Sequence, residues 1–236
     1  MCMTSSCQYG SSTNKDDKDS DSLVVHIAVL PTEECEPFNI AMQNGIFDSL
    51  EVEVKLDTFA SAMDADTAFV KGQVQLLVSD SIKSEYLKTQ VKGDTIRSII
   101  TDTLRLYLMA AKTSRIKSIQ NLKDRVVAVT RNSAIDYFAD QTMDKAKTGR
   151  DHLNRPQIND IALRAKMLNL NQYDGAVLPE PFATQCEEQG ARRIASSKEQ
   201  LMRVLVKGKT YKKYKKEIDK ITEAYSLTKY GRQQQQ

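Results

Sequence analysis

Residues 96–111, IRSIITDTLRLYLMAA, carry two extended apolar segments, 96–100 and 104–111, with only Thr101-Asp102-Thr103 between them. On either side the chain alternates strand and helix. Upstream, 23–30 (LVVHIAVL) is a continuous β-branched run, the pattern of a strand buried on both faces. Segments 52–56 and 74–78 repeat the strand signal, and helices are predicted at 37–44, at 61–71 and from Ser81 to about 91. Gly45, Gly72 and Gly93 punctuate them. Downstream, 116–124 reads as a short helix and 126–129 as a strand. A helix over 133–147 has Ile135, Phe138, Ala139, Thr142 and Ala146 on one face. A strand at 157–161, a helix around Leu163, Met167 and Leu170, a strand at 175–178 and a helix at 182–189 follow. A last strand at 204–206 precedes an amphipathic helix with Tyr211, Tyr214, Ile218, Ile221 and Tyr225 on one side and lysines elsewhere.

Strands alternating with helices of this length predict an α/β fold built on parallel sheets. Two such sets flanking an extended pair predict two lobes joined by strands, with a cleft between them. Lobe I spans 23–103, lobe II spans 104–195, and 196–236 returns to lobe I. In open α/β sheets ligands sit beyond the carboxyl ends of the strands, so the residues just after each strand matter most.

Composition excludes several classes. The 236 residues are 40% hydrophobic and 28% charged, which suits a globular core. A net charge of +3, with 6% aromatics and no Trp, gives no footprint for nucleic acid. No apolar run approaches the roughly 20 residues that span a bilayer. The lysine-rich terminal helix reads as a surface helix with a solvated face. Four scattered cysteines and two histidines offer neither a metal cluster nor a disulfide framework. His26 falls within an apolar strand, as a packed imidazole does. Nucleophile-elbow, phosphate-loop and dinucleotide fingerprints are all missing, so neither catalytic residues nor a cofactor are expected.

The amino terminus is distinctive. Thr4-Ser5-Ser6-Cys7 resembles the end of a bacterial lipoprotein signal, and 8–22 is polar and charged. Such a segment buries too little surface to offset its ordering entropy, so 1–22 is expected to be a flexible tether. Two readings stand side by side: a lipidated Cys7 holding the domain near a membrane, and a plain tail.

The strand ends are polar: Pro31-Thr32-Glu33-Glu34-Cys35, Phe59-Ala60-Ser61-Ala62-Met63-Asp64, Ser79-Asp80-Ser81, Thr130-Arg131-Asn132-Ser133-Ala134, Asn159-Asp160 and Pro179-Glu180-Pro181-Phe182. Ser133, with Asp136 three residues on, is a capping-box pattern. The free amides of that helix start can also receive an anion, with Arg131 beside them.

Three stretches resemble a known family. Residues 106–145 (LYLMAAKTSRIKSIQNLKDRVVAVTRNSAIDYFADQTMDK) are similar to the second lobe of periplasmic substrate-binding proteins, of the nitrate/sulfonate/taurine and thiamine-pyrimidine-precursor class. Residues 174–185 (DGAVLPEPFATQ) resemble the segment that closes that lobe, and 36–47 (EPFNIAMQNGIF) resemble the class's first helix. The resemblance runs from about 23 to 225. Residues 63–68 with 130–134 resemble envelope lipoproteins of this class in Bacteroidetes-type bacteria.

The resemblance implies a two-lobed type II periplasmic-binding-protein fold, each lobe a mainly parallel sheet flanked by helices, with a strand hinge. It implies a monomeric, non-enzymatic solute-binding component of an ABC transporter in the periplasm or cell envelope, with a small polar ligand, a permease partner and no nucleic acid. Same-fold alternatives are an enzyme of dehydratase or pyrimidine-precursor-synthesis type and a ligand-sensing receptor. The binding positions carried over are Thr32, Glu33, Glu34, Cys35, Ser61, Met63, Asp64, Asp80 and Ser81 from the first lobe, and Arg131, Asn132, Ser133, Ala134 and Glu180 from the second. Glu33 and Glu34 together disfavour a fully anionic ligand and favour one with an amine, while Arg131 suits an acidic or carbonyl group. Family members continue past the last helix here, so the ending YGRQQQQ looks truncated.

Overall fold

The computed structural model describes residues 24–233, so Cys7 and the tether lie outside the described residues. The first sheet opens with β1 (Val25–Val29), paired in parallel with β2 (Val54–Thr58) and β3 (Leu76–Asp80). Helices α1 (Glu36–Gln43) and the short α2 (Ile46–Ser49) connect β1 to β2, α3 (Ala62–Lys71) connects β2 to β3, and α4 (Ser81–Gln90) leads to β4 (Ile96–Leu104). Gly45 and Gly72 take left-handed φ of 65° and 78°, where a side chain would be strained.

The second sheet holds β5 (Leu106–Ala110), β6 (Arg125–Ala128), β7 (Leu153–Asn154), β8 (Gly175–Pro179) and β9 (Arg192–Ser196). Around it lie α5 (Ala134–Lys145), α6 (Ile161–Asn169) and α7 (Phe182–Glu188). The chain then returns as β10 (Gln200–Lys207), followed by α8 (Gly208–Lys213) and α9 (Lys215–Gln233). The strand orders are β2-β1-β3-β10-β4 and β7-β6-β8-β5-β9. Each sheet is mixed: β10 runs antiparallel to β3 and β4, and β5 runs antiparallel to β8 and β9.

The two sheets are joined at two adjacent crossings. Arg105 alone separates β4 from β5, and 197–199 separate β9 from β10. Ser197 ties the crossings together: its N–H donates to the Leu106 carbonyl at 2.8 Å, and its Oγ accepts from the Leu106 N–H at 3.0 Å.

Period-two alternation sorts the strand residues into layers. In β1, β3 and β10, Ala28, Leu77 and Leu205 pack with Phe69 and Leu87 beneath α3 and α4. Their neighbours Ile27, Leu76 and Val204 face the opposite side, with Phe38 of α1 and Ile221 of α9. The same cluster continues through Leu104 and Leu106 to Leu108, Val127 and Val177 of the second sheet. Ala128, Ala176 and Leu178 face α6 and α7 in a third cluster. The hydrophobic core is therefore continuous across the crossings.

Several sequence expectations change. The expected break at 101–103 is absent, because those residues pair with β10 and the chain turns at Arg105 instead. Residues 116–124 hold only a 3-10 turn, Ile119–Asn121. The expected strand at 157–161 is reduced to two isolated bridges, Val129 to Gln157 and Ser61 to Asp160, since Ile161 already starts α6. Strand β9 was unpredicted, because its arginines mask the period. The terminal helix breaks at Tyr214; Ile218, Ile221 and Tyr225 are buried against the core, while Lys212, Lys213, Lys215 and Lys216 are exposed as expected. No helix among the described residues is long and apolar enough to cross a membrane.

Candidate functional site

Strand carboxyl ends of both sheets converge on a cavity of about 60 Å³. Leu30 follows β1, Ser79 and Asp80 end β3, Thr130 follows β6 and Pro179 ends β8. Helix starts line the same space, because a helix following a strand must begin at that end. Ser61 caps α3, accepting from the Asp64 N–H at 3.2 Å. Asp80 caps α4, its Oδ1 accepting from the Ile82 and Lys83 amides at 2.9 Å each. Ser133 caps α5 through the Ile135 N–H at 3.2 Å, and Asp160 caps α6 through the Leu163 N–H at 2.8 Å.

The two sides are latched over the cavity. The Glu33 N–H donates to the Glu180 carbonyl at 3.0 Å, and the Ile161 N–H donates to the Ala60 carbonyl at 3.1 Å.

The acidic groups of the cavity are held in low-dielectric surroundings. Part of Glu34 reaches solvent through a neighbouring groove, yet burial of its carboxyl raises its pKa to about 7, against hydrogen bonds from its own backbone and Thr32. Burial likewise raises Asp80, against hydrogen bonds from the Lys83 and Ala134 amides. Lys83 lines the cavity, but its Nζ is 2.5 Å from Asp66, with side chains 9% and 13% exposed.

Of the expected residues, Thr32, Glu34, Asp80, Ser133 and Ala134 meet at this cavity. Glu33 and Glu180 line a separate groove near the crossings, of about 350 Å³. The Glu180 carboxylate is engaged there by Arg193 at 2.7 Å. Met63, Arg131 and Asn132 line an outer groove of about 370 Å³ together with Lys83. Arg131 donates to the Arg155 carbonyl at 3.3 Å, away from the cavity. Asp64 is exposed and accepts from the Ser61 Oγ at 2.6 Å. Ser81 opens α4 without lining the cavity. Cys35 is fully buried in the core, its thiol accepting from the Leu30 N–H at 3.3 Å, and burial drives its pKa far up.

Asp136 does not complete a capping box with Ser133. Arg155 holds it at 2.8 Å instead. His26 is half-buried and meets Asp57 at 2.6 Å across β1 and β2, and His152 meets Asp124 at 3.2 Å; neither lines the cavity.

Ser79, Lys83, Thr130 and Asn159 join the cavity lining without having been chosen from sequence. Ser79, Thr130 and Asn159 lay in strand-end segments. Lys83 could have been found one turn beyond the Asp80 cap. Thr130 is backed by Arg164, fully buried, whose Nη1 donates to Thr130 Oγ1 at 2.7 Å and to the Ile158 carbonyl at 2.6 Å.

No protein-family model and no curated protein matches the chain. Solved structures do. The alkanesulfonate-binding protein SsuA of Xanthomonas axonopodis bound to MOPS is similar with a TM-score of 0.72 at 12% identity, over 87% of this chain and 72% of that one. PhnD1 of Prochlorococcus marinus in complex with methylphosphonate gives 0.64 at 12% identity, over 85% and 83%. An ancestral arginine-binding protein bound to arginine gives 0.62 at 13%, over 88% and 92%. The chain has the periplasmic-binding-protein fold.

Proposed function

We propose that the protein is a solute-binding component of an ABC importer, which encloses a small polar molecule between two lobes. The observation that supports this reading most directly is the cavity at the joint strand ends of both sheets, latched by Glu33–Glu180 and Ala60–Ile161. The lobes are residues 23–103 with 196–236, and 104–195, with changeovers one or two residues from the two crossings. Thr32, Glu34, Asp80, Ser133 and Ala134 contact the ligand in the closed form, and Glu33, Met63, Arg131, Asn132 and Glu180 border the path into it. Contacts with both lobes favour closure through differential affinity for the closed state. The closed monomer then docks on a permease, in the periplasm or at the cell envelope, with Cys7 as a lipid anchor.

A thermal-shift screen of small solutes on the folded protein, followed by small-angle X-ray scattering with and without the hit, tests the proposal. A saturable rise in Tm with a smaller radius of gyration is expected. Stabilisation by no solute of any charge overturns it.

A further inference from the structure

The chemistry of the cavity wall goes further than its position. Two carboxyl groups line it, Glu34 and Asp80, and the one cation of its lining, Lys83, is already paired with Asp66 at 2.5 Å. Ser79 also lines it, 8% exposed, and its hydroxyl meets no hydrogen-bond partner. An unpartnered buried hydroxyl is costly, and such groups need an explanation when they occur in a folded protein. The cavity thus has spare hydrogen-bonding capacity and two buried carboxyl groups that a bound cation would favour.

The start of α5 decides what cannot enter. Its free amides are the natural receptor for an anionic ligand. That place is partly taken from within the chain: Ser133 Oγ accepts from the Ile135 amide, and the Asp80 carboxyl lines the same cavity wall as Ser133 and Ala134. An incoming sulfonate, phosphonate or carboxylate would have to sit beside Asp80 and Glu34. A further negative charge next to buried carboxyl groups is unfavourable. The remaining wall is apolar, formed by residues such as Val78, Leu104, Ile135 and Met202.

We infer that the cavity takes a compact organic cation, an ammonium or amidinium group on a short apolar body, with Glu34, Asp80 and Ser79 as its acceptors. This rests on the solute-binding reading and gives it a ligand class. The cation supplies counter-charge to the two carboxyl groups, its N–H groups meet the free hydroxyl, and its apolar part faces the aliphatic side chains. Asp80 has two tasks in this account: it caps α4, and its carboxyl disfavours anions in the cavity.

Isothermal titration with three probes of similar size tests the inference: ethylammonium chloride, sodium ethanesulfonate and propionamide, at matched ionic strength. Saturable binding of ethylammonium, without binding of ethanesulfonate, is expected. Glu34→Gln and Asp80→Asn should each weaken it at least tenfold, with circular dichroism confirming the fold, while Glu188→Gln, on the exposed end of α7, leaves it unchanged. Saturable binding of ethanesulfonate or propionamide without ethylammonium overturns the cation and leaves the solute-binding reading standing. Binding of none of the three, with a hit of another charge class in the wider screen, does the same. No binding by any solute overturns both. Ethylammonium binding that is indifferent to both Glu34→Gln and Asp80→Asn overturns the assignment to this cavity.

Discussion

The backbone N–H of Glu33 donates to the carbonyl of Glu180 at 3.0 Å, joining the turn after β1 to the segment after β8. The partners are 147 residues apart in sequence and belong to different sheets. With the Ala60–Ile161 bond and the bridge between Ser61 and Asp160, it fastens one side to the other above the cavity. Only the Arg105 and 197–199 crossings connect the sheets covalently, so motion about them would break these latches while leaving both sheets intact.

Hydrogen exchange reports that motion. The Glu33 and Ile161 amides should exchange faster than the Val127 and Leu77 amides inside the sheets, and bound ligand should slow the first pair selectively. Equal protection of all four in the free protein would count against an opening cleft.

Glu34 makes stability depend on pH near neutrality. Its pKa is about 7 in the fold, above its ordinary value of 4.5, because burial disfavours the charge. The folded state therefore holds the proton more tightly than the unfolded one. Its contribution is full below about pH 4.5 and is lost as pH rises through about 7. Between pH 5 and pH 8 this amounts to about 2 kcal/mol. Glu34→Gln should flatten the Tm profile over that interval, measured by differential scanning calorimetry without ligand.

Asp102 has the opposite sign. Burial pushes its carboxyl up, but hydrogen bonds from Lys229 and from Tyr225 Oη, the latter at 2.5 Å, outweigh that and hold it below the ordinary carboxylate range. Its side chain is 11% exposed, and it fastens α9 to β4 beside the crossing. The stabilisation is full above about pH 4, the ordinary carboxyl pKa, and fades as acid protonates the folded group. Asp102→Ala should cost about 1–3 kcal/mol in urea unfolding at pH 7.

Arg164 is wholly buried, with Nε and Nη2 unpartnered, and burial lowers its pKa to about 10. Arg164→Ala leaves a large void and frees Thr130, at a cost of about 3 kcal/mol or more. Arg164→Met keeps most of the volume and removes the unsatisfied donors, so it should cost distinctly less. Parallel denaturant curves of the two variants distinguish them, and a larger loss for Met would refute the account.

Phe38 stacks tilted on Tyr225, with ring centroids 5.0 Å apart, and both rings are buried. Phe38→Ala should cost about 3–5 kcal/mol and loosen α9. Faster exchange in 218–228, ahead of the second sheet, is the expected signature.

How far the site could be read in advance varies with the residue. Ser133 was visible as a cap because a cap is a local pattern of side chain and backbone, while Ser61 and Asp80 were visible only as residues at strand ends. Glu33 and Glu34 were indistinguishable, being neighbours in one turn, yet only Glu34 reaches the cavity while Glu33 lies on the groove. Arg131 looked like an anion ligand beside α5. It instead turns toward Arg155, because Asp136 and the 150–155 turn offer it partners from outside the cleft.

By itself the sequence determined the alternation of strands and helices and the two sets around 96–111, since these follow from hydrophobic period and local capping. Tertiary structure alone decided that β10 slots between β3 and β4, that β9 closes the second sheet, and that the Glu33 amide meets the Glu180 carbonyl. Those are pairings between distant segments. They are set by which partners can satisfy buried polar groups together once the chain has closed on itself, and no local pattern encodes that choice.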